Sequence, residues 1–439
     1  GKEGEPVGDP VSDVIVENTG NNGSTYDDGE DTFITGTDPN NYIWYSGKLW
    51  RAVSINNEAK TTKLVTQWNI SAIPYASGSN TAFEGSSMEE WLNDTSVDGF
   101  LGNLRDYEDF IVTNAKWDAT EDSRKLGSIT RPNGTTTVTA PVGLLNIYEY
   151  QSSNKGGTDG YLNNGLFWWT LTPYSSYDVR NVSNDGHTYY DSPSNAGGVR
   201  PSINLKSNVK IVSGDGTIDN PYRLNGDNDT NLSGTQLSTR YSGEYIRFGN
   251  NENNLYRIVS HENGSGTKIT SAEPLKSSGI FIERALGNLK YSSTTTMGTF
   301  LNGEYLNSYV DSSYKNMIED ETTWYLGTVG KGVSYKLAKY TDTSMTSTTS
   351  SITNAKVGLL RFGELMAGQF DRYDNNKNYW TLTPYSTSDV RYVINVGYTS
   401  STGASFTSGV RPSINLKSNV VITSGTGTKS DPFTIELSN

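Results

Sequence analysis

The alternation of apolar and polar positions predicts mainly short β-strands. Between Ile43 and Ile55, aromatic and aliphatic residues alternate with polar ones, a pattern typical of a β-hairpin. From Trp168 onward, Thr, Tyr and Val alternate between clusters of Gly, Asn and Ser. This part of the sequence therefore predicts several short strands that are joined by long loops.

Helical spacing is confined to short stretches. Ser86 and Glu89 form a capping-box pattern directly before Trp91. Apolar residues then recur at helical spacing from Phe100 to Tyr107. The combined pattern predicts an α+β fold, in which two short helices pack on a small antiparallel sheet with long loops.

One internal repeat organises the chain. Three segments of the first half recur in the second half at a constant offset (380 − 169 = 211). They are WTLTPY (169–174 and 380–385), DVR (178–180 and 389–391) and GVRPSINLKSNV (198–209 and 409–420). A repeat of this length predicts a duplicated domain rather than a short-period solenoid.

The repeat and the turn-forming residues around it predict the domain boundaries. We expect a first domain at residues 32–224 and a second at 236–439. The segment 225–235 is rich in turn formers, which indicates a linker. Residues 1–31 are acidic and rich in Gly and Asn, and we expect them to form an N-terminal arm, either mobile or docked as a strand.

Composition and charge exclude several classes of protein. The 439 residues contain no cysteine, which excludes disulfides, thiol nucleophiles and thiolate metal sites. The formal net charge of −13 argues against binding to nucleic-acid backbones. No apolar run has the roughly 18 residues that a transmembrane helix needs. Since the sequence opens on polar residues, we expect the targeting or anchoring segment of an exported parent to lie outside it.

The repeated motifs resemble those of a bacterial domain of unknown function. In this sequence they are Trp168-Trp169-Thr-Leu-Thr-Pro173 and Val199-Arg200-Pro201-Ser-Ile-Asn-Leu205, with Tyr379-Trp380 and Val410-Arg411-Pro412 in the second copy. That domain occurs in surface proteins of gut Gram-positive bacteria and is similar to the C-type-lectin-like superfamily. The resemblance implies two tandem C-type-lectin-like domains and a location outside the cell or at its surface.

The tryptophans and arginines of these motifs are predicted to be structural. Each arginine follows a valine in a strand and is flanked by aromatic residues, so its stem can pack on a ring while its head pairs with a carboxylate or carbonyls. Asp178 and Asp389 are the carboxylates nearest in sequence. The predicted structural residues are Trp169, Arg180, Arg200, Trp380, Arg391 and Arg411.

Candidate catalytic and cofactor chemistry is sparse. Only two histidines exist, His187 and His261, and no Gly-x-Ser-x-Gly elbow is present. The acids Glu149 and Glu364 follow matching Val-Gly-Leu-Leu segments, but one acid per copy is not a glycosidase pair. The stretch at residues 227–231 begins like a calcium loop without its later ligands. We therefore predict no enzyme activity, no metal and no cofactor.

The segments between the repeated motifs carry the candidate binding residues. They combine rings with small polar residues, as recognition loops do. The candidates are Tyr177, His187, Tyr189 and Tyr190 in the first copy, and Tyr392, Tyr398 and Phe406 in the second. We predict adhesion to, or recognition of, a host or environmental glycan or protein. The alternatives are the ectodomain of a pilin-like or other surface-assembly subunit, whose rings contact other subunits, and a carbohydrate-active enzyme.

Overall fold

The chain is predominantly β-sheet. The computed structural model describes residues 7–76, 78–97, 99–123, 130–155, 157–226, 232–261, 266–326, 352–364 and 377–439. Strands hold 38% of the residues and helices hold 13%. This is compatible with the predicted α+β class as well as with a mainly-β fold.

The elements before residue 227 are short strands interrupted by four short α-helices. In chain order they are β1 (Asp9–Pro10), α1 (Val11–Glu17), β2 (Gly23–Asp27), β3 (Asp31–Gly36), β4 (Tyr42–Tyr45), β5 (Lys48–Asn56), β6 (Thr62–Thr66), β7 (Ser71–Pro74), α2 (Ser87–Leu92), a 3₁₀ turn (Leu101–Asn103), α3 (Tyr107–Phe110), β8 (Lys116–Asp118), β9 (Thr137–Thr139), α4 (Ile147–Asn154), β10 (Trp168–Pro173), β11 (Val179–Val182), β12 (Thr188–Asp191), β13 (Ala196–Val199), β14 (Ser202–Leu205), β15 (Lys210–Ser213) and β16 (Tyr222–Leu224).

The described elements after residue 231 follow a similar course. In chain order they are a 3₁₀ turn (Leu237–Thr239), β17 (Tyr245–Asn250), β18 (Asn253–Ser260), β19 (Thr267–Ser271), β20 (Lys276–Ser277), β21 (Ile280–Phe281), β22 (Arg284–Ala285), α5 (Thr296–Phe300), a π-helical turn (Leu301–Tyr305), α6 (Leu306–Ser308), α7 (Ser312–Lys315), β23 (Thr322–Tyr325), β24 (Ile352–Ala355), β25 (Val357–Gly358), β26 (Tyr379–Pro384), β27 (Asp389–Val393), β28 (Thr399–Gly403), β29 (Thr407–Ser408), β30 (Ser413–Leu416), β31 (Val420–Ser424) and β32 (Thr434–Leu437).

The described residues divide into two compact units. The first unit comprises the described residues between 7 and 226, except residues 70–74 and 196–198. Those two segments group with the second unit, whose other described residues begin at residue 232. The predicted linker falls at this division, although residues 227–231 lie outside the described part. The segment that we predicted to be an N-terminal arm belongs to the first unit from Asp9 onward, because β1 pairs with β15 and β2 with β3.

The predicted hairpin at residues 43–55 is confirmed as β4 and β5. Ser46 and Gly47 connect the strands, and both have positive φ, as a two-residue hairpin turn requires. The hairpin lies within a nine-stranded sheet whose main path runs β1-β15-β16-β4-β5-β3-β2, with β6 between β5 and β14. The sheet is larger than predicted and is not wholly antiparallel, since β16 runs parallel to β4.

A second, smaller sheet holds the repeated motifs of the first unit. β10, β11 and β12 form a three-stranded antiparallel sheet, and every residue of β10 is buried. Its sequence WWTLTP contributes two tryptophan rings to the interior, where large rings supply much of the apolar area that the low aliphatic content does not.

The second unit has its own apolar core. β17-β18-β19-β30-β25 form a five-stranded sheet, and β26-β27-β28 a three-stranded one. The core includes Ile246, Leu301, Trp324 and Trp380. The register of the three-stranded sheet matches that of the first unit, because Val182 pairs with Thr188 and Val393 with Thr399.

The predicted helix starts are confirmed in part. Ser86 caps α2, and its side chain accepts a hydrogen bond from the backbone N–H of Glu89 at 3.0 Å. The stretch from Phe100 to Tyr107 is not one helix. It contains a 3₁₀ turn and then α3, because Asp106 between them adopts a left-handed conformation (φ 45°) that interrupts a helix.

Candidate functional site

The six residues predicted to be structural all lie in the interior. Each tryptophan and arginine of this set is at most 5% exposed. Arg180 Nε donates to the backbone carbonyl of Asp122 at 2.8 Å, and its Cζ lies 4.8 Å from the ring centroid of Tyr174. Arg391 has the same relation to Tyr385, also at 4.8 Å. Asp122 is distant in sequence, so the local sequence could not identify it.

The Arg-Pro motifs place a second arginine of each unit against a ring. Arg200 donates to the carbonyls of Thr66 and Leu162, and its Cζ lies 4.6 Å from the ring centroid of Trp168. Arg411 lies 4.8 Å from that of Tyr379. Burial lowers the pKa of Arg200 to about 9. Both guanidinium groups are therefore buried, and each lies against an aromatic ring and donates to a backbone carbonyl.

The candidate binding residues of the first unit lie at the surface. Tyr177 is 73% exposed, and Tyr189 and Tyr190 are 48% and 49% exposed. Tyr190 stacks on Tyr174, with ring centroids 3.9 Å apart and planes 2° apart. Tyr189 contacts His187 instead, with ring centroids 6.4 Å apart.

The two exposed tyrosines of β12 face opposite sides of the small sheet. Tyr190 is the cross-strand neighbour of Arg180 in β11, whereas Tyr189 is that of Asn181. Neighbouring residues of a strand point to opposite faces of the sheet. β12 is the last strand of its sheet in the part of the chain that the structure describes. The exposed rings therefore lie on two opposite faces, Tyr190 with Tyr174 on one and Tyr189 with His187 on the other, rather than on one continuous face.

The second unit presents a different set of side chains at the corresponding positions. Phe406 is 65% exposed, whereas Tyr392 and Tyr398 are half-buried. The ring of Tyr392 lies against that of Trp380, with centroids 6.2 Å apart. The matching register places Ser400 and Ser401 where the first unit has its tyrosine pair.

The structure also reveals a cluster that the sequence analysis missed. In the first unit, Lys63 Nζ lies 2.5 Å from Glu149 Oε2 and 4.8 Å from the ring centroid of Trp117, and Asn204 is the cross-strand neighbour of Lys63. We call Lys63, Glu149 and Asn204 the first Lys–Glu–Asn cluster. Glu149 also closes a capping box with Asn146 at the start of α4.

The second unit repeats this cluster with Lys268, Glu364 and Asn415. Lys268 Nζ lies 2.7 Å from Glu364 Oε1 and 5.3 Å from the ring centroid of Trp324, and Asn415 is its cross-strand neighbour. Arg361 adds a second cation on Glu364. Asn204 and Asn415 lie in the identical motifs, and the two glutamates follow matching Val-Gly-Leu-Leu segments. Only Lys63 and Lys268 required an alignment of the two halves beyond these segments.

A cavity of about 690 Å³ opens beside the first cluster. Its lining includes Lys63, Glu149 and Asn204, together with Asn114, Asp118 and Arg131. Most of the described lining residues are polar or charged, and none of them is aromatic. The cavity is therefore a polar site, unlike the exposed rings of β12.

One wall of this cavity is fixed by an ion-pair network. Arg131 contacts the carboxylates of Asp28, Glu30 and Asp31, and Asp28 also accepts a hydrogen bond from Tyr148 at 2.6 Å. Burial opposes the ionisation of Asp28. The hydrogen bonds that this carboxylate accepts outweigh burial and lower its pKa to about 2. The burial of Tyr148 and its hydrogen bond to Asp28 raise the pKa of the Tyr148 hydroxyl to about 12.

The histidines have ordinary partners. His187 Nδ1 lies 3.1 Å from a carboxylate oxygen of the exposed Asp185, and His261 contacts the carbonyl of Arg240 at 2.7 Å. Burial lowers the pKa of His261. The described residues contain no group of three potential His, Cys, Asp or Glu metal ligands. In the same residues, no helix combines the length and apolar character needed to cross a membrane.

Comparison with known proteins gives a family for part of the chain. Residues 60–207 match the model of the family described as Domain of unknown function (DUF6273). The match extends from β6 to the end of β14 and includes both repeated motifs of the first unit as well as the first Lys–Glu–Asn cluster. The chain matches no curated protein and no solved structure. Residues 60–207 are thus a DUF6273 domain, whose family description assigns no function.

Proposed function

We propose that this protein is a non-catalytic recognition or adhesion protein of the cell surface or extracellular space. It would consist of two copies of one C-type-lectin-like module. The observation that favours recognition is the location of exposed rings. Of the five aromatic side chains that are exposed in the described residues, Tyr177, Tyr189, Tyr190 and Phe406 lie between the repeated Trp and Arg-Pro motifs, and only Tyr26 lies elsewhere.

The geometry of the first unit suits a binding surface. Tyr190 is held by its stack on Tyr174, which is in turn packed against the buried Arg180. A ring fixed in this way loses little conformational entropy when a ligand covers its open face. Tyrosine also combines a large apolar face with a hydroxyl group, so it suits both sugar rings and protein side chains.

The difference between the units supports the same interpretation. The buried motifs are identical in sequence, whereas Tyr189 and Tyr190 correspond to Ser400 and Ser401. A constant scaffold with variable exposed residues is typical of recognition domains. We therefore assign the contact with a glycan or protein ligand mainly to the first unit.

Binding of the whole chain to an immobilised glycan array and to a panel of host surface proteins tests this proposal. The Tyr189→Ala/Tyr190→Ala variant should lose binding by at least about tenfold, because it removes the two exposed rings that a ligand would cover. The matched variant Ser400→Ala/Ser401→Ala should bind as the unmodified chain does. Equal binding by all three proteins would contradict the proposal.

The structural alternative, a pilin-like or other surface-assembly subunit, has one observation in its favour. β12 ends its sheet in the described part of the chain and carries two exposed tyrosines, and an unpaired strand edge can accept another chain. Concentration-dependent polymers that disappear in the Tyr189→Ala/Tyr190→Ala variant would favour this alternative. A carbohydrate-active enzyme has less support, since Glu149 and Glu364 are each bound by a lysine.

A further inference from the structure

We propose that the cavity beside the first Lys–Glu–Asn cluster binds a neutral, polyhydroxylated ligand, a glycan segment of one or two sugar rings. The site is separate from the exposed rings of β12 and does not depend on the function proposed for them. Its volume of about 690 Å³ lies in the range of small-molecule sites.

The charges of the lining favour a neutral ligand. The deepest charged groups, Lys63 and Glu149, already neutralise each other, and Arg131 is bound by three carboxylates. An ionic ligand would have to compete with these pairs, which is costly for partly buried charges. An aromatic ligand finds no ring to stack on among the described residues of the cavity.

The polar groups of the lining can serve hydroxyl groups, which both donate and accept hydrogen bonds. The Lys63 ammonium has three N–H donors, of which Glu149 uses one. The amides of Asn204 and Asn114 offer both donors and acceptors, and Asp118 offers carboxylate acceptors. Donors and acceptors mixed around one cavity match a polyol better than they match a ligand of one charge.

The site is also pre-organised. Trp117, on which Lys63 lies, is buried and donates from Nε1 to the carbonyl of Ala140 at 2.8 Å. Glu149 is held by the N–H of Asn146 at 3.0 Å as well as by Lys63. Side chains fixed before binding lose little entropy when a ligand arrives.

The second unit supplies an internal comparison. There the same cluster is closed, with the Lys268 and Glu364 side chains 5% and 1% exposed and Asn415 fully buried. In the first unit, the Lys63 and Glu149 side chains are 17% and 9% exposed, and Asn204 is half-buried. A cluster that is enclosed in one unit is thus accessible in the other, and we assign the ligand to the accessible one.

Isothermal titration calorimetry of the whole chain tests this site with neutral monosaccharides and disaccharides: glucose, galactose, mannose, N-acetylglucosamine, cellobiose, lactose and chitobiose. At least one of them should bind saturably. Asn204→Ala should weaken that binding by about tenfold, because the hydroxyl group that it contacts loses its partner. Asn307→Ala, the same change at an exposed position of the second unit, should leave the binding unchanged.

A second variant, Asn114→Trp, keeps the test valid if Asn204→Ala does not fold. Asn114 is exposed at the cavity lining, so Asn114→Trp narrows the cavity without disturbing the core and should also reduce binding at least tenfold. Absence of saturable binding by every sugar overturns the proposal. So does binding that both variants retain, which would place the sugar elsewhere, or saturable binding of zwitterionic glycine and alanine in place of sugars. A failure of the Tyr189→Ala/Tyr190→Ala experiment leaves these outcomes unaffected.

Discussion

At the scale of single residues, the interior of this protein is notable for paired charges. Burying a lysine or glutamate alone costs several kcal/mol, so such groups persist only with a partner. Lys268 and Glu364 satisfy this condition with a 2.7 Å contact, and Arg361 adds a second cation on the same carboxylate. Lys63 and Glu149 form the more accessible version of the pair. Truncating one partner should therefore have different consequences in the two units.

We expect Glu364→Gln to lower the free energy of unfolding by about 3–5 kcal/mol, because it leaves Lys268 and Arg361 buried without a carboxylate. Glu149→Gln should cost less, about 1–3 kcal/mol, since only Lys63 loses its partner and water can reach it from the cavity. Urea unfolding at neutral pH measures both values. Equal losses in the two variants would show that the second cation and the deeper burial do not matter.

Asp28 gives a prediction on pH dependence. Its pKa falls from 3.8 to about 2 on folding, so its ionised form contributes stability that is present above pH 3.8 and is lost as the pH falls through about 2. Asp28→Asn should destabilise the protein by about 1–3 kcal/mol at pH 6. The difference from the unmodified protein should shrink between pH 4 and pH 2 in urea unfolding. The control is Asn307→Ala, an exposed change that alters no titratable group, and its difference from the unmodified protein should stay constant between pH 4 and pH 2.

At the scale of elements, local patterns predicted what depends on neighbours in sequence. The β4–β5 hairpin and the cap of α2 follow from alternation and from Ser86, and the structure confirms both. The pattern Asn146-x-x-Glu149 is a signal of the same kind for the start of α4. The cavity could not be predicted in this way, because β6, α4 and the segment around Arg131 meet only in the folded chain.

The close packing of the Gly143 backbone on the ring of Trp117 gives a prediction at this scale. A Cβ added at Gly143 would lie 2.4–2.7 Å from the ring of Trp117, which is buried and held by its own hydrogen bond. Gly143→Ala should therefore lower the free energy of unfolding by about 1–3 kcal/mol. The control, Gly303→Ala, places its Cβ in open space within a helical turn, so it should be neutral or slightly stabilising. A neutral Gly143→Ala variant in thermal or urea unfolding would contradict this account.

At the scale of the whole molecule, the two units share more than their identical motifs. Gly358 approaches Trp324 as Gly143 approaches Trp117, with a Cβ at 2.7–2.8 Å from the ring. Tyr42 and Tyr245 each lie against an arginine, Arg51 at 3.6 Å and Arg257 at 4.3 Å. The repeat at an offset of 211 residues predicted equivalent sheets, and these contacts support the proposal of one module present twice. Alternation is weak in the short strands β1 and β2, so the sequence alone leaves open whether residues 1–31 are a mobile arm or a docked strand.

If each copy has its own core, a substitution that destabilises one copy should leave the stability of the other unchanged. Gly143→Ala strains the packing of Trp117, so we expect faster amide hydrogen exchange in β8, β9 and β10 and unchanged exchange in β23 and β26. Gly358→Ala strains Trp324 in the equivalent way and should have the reverse effect. Exchange followed by mass spectrometry under native conditions measures both, because local opening is governed by the stability of the cooperative unit to which each amide belongs. Faster exchange in both sets of strands from either single variant would instead mean that the two sequence repeats fold as one cooperative unit, and the proposal of two self-contained modules would then be wrong.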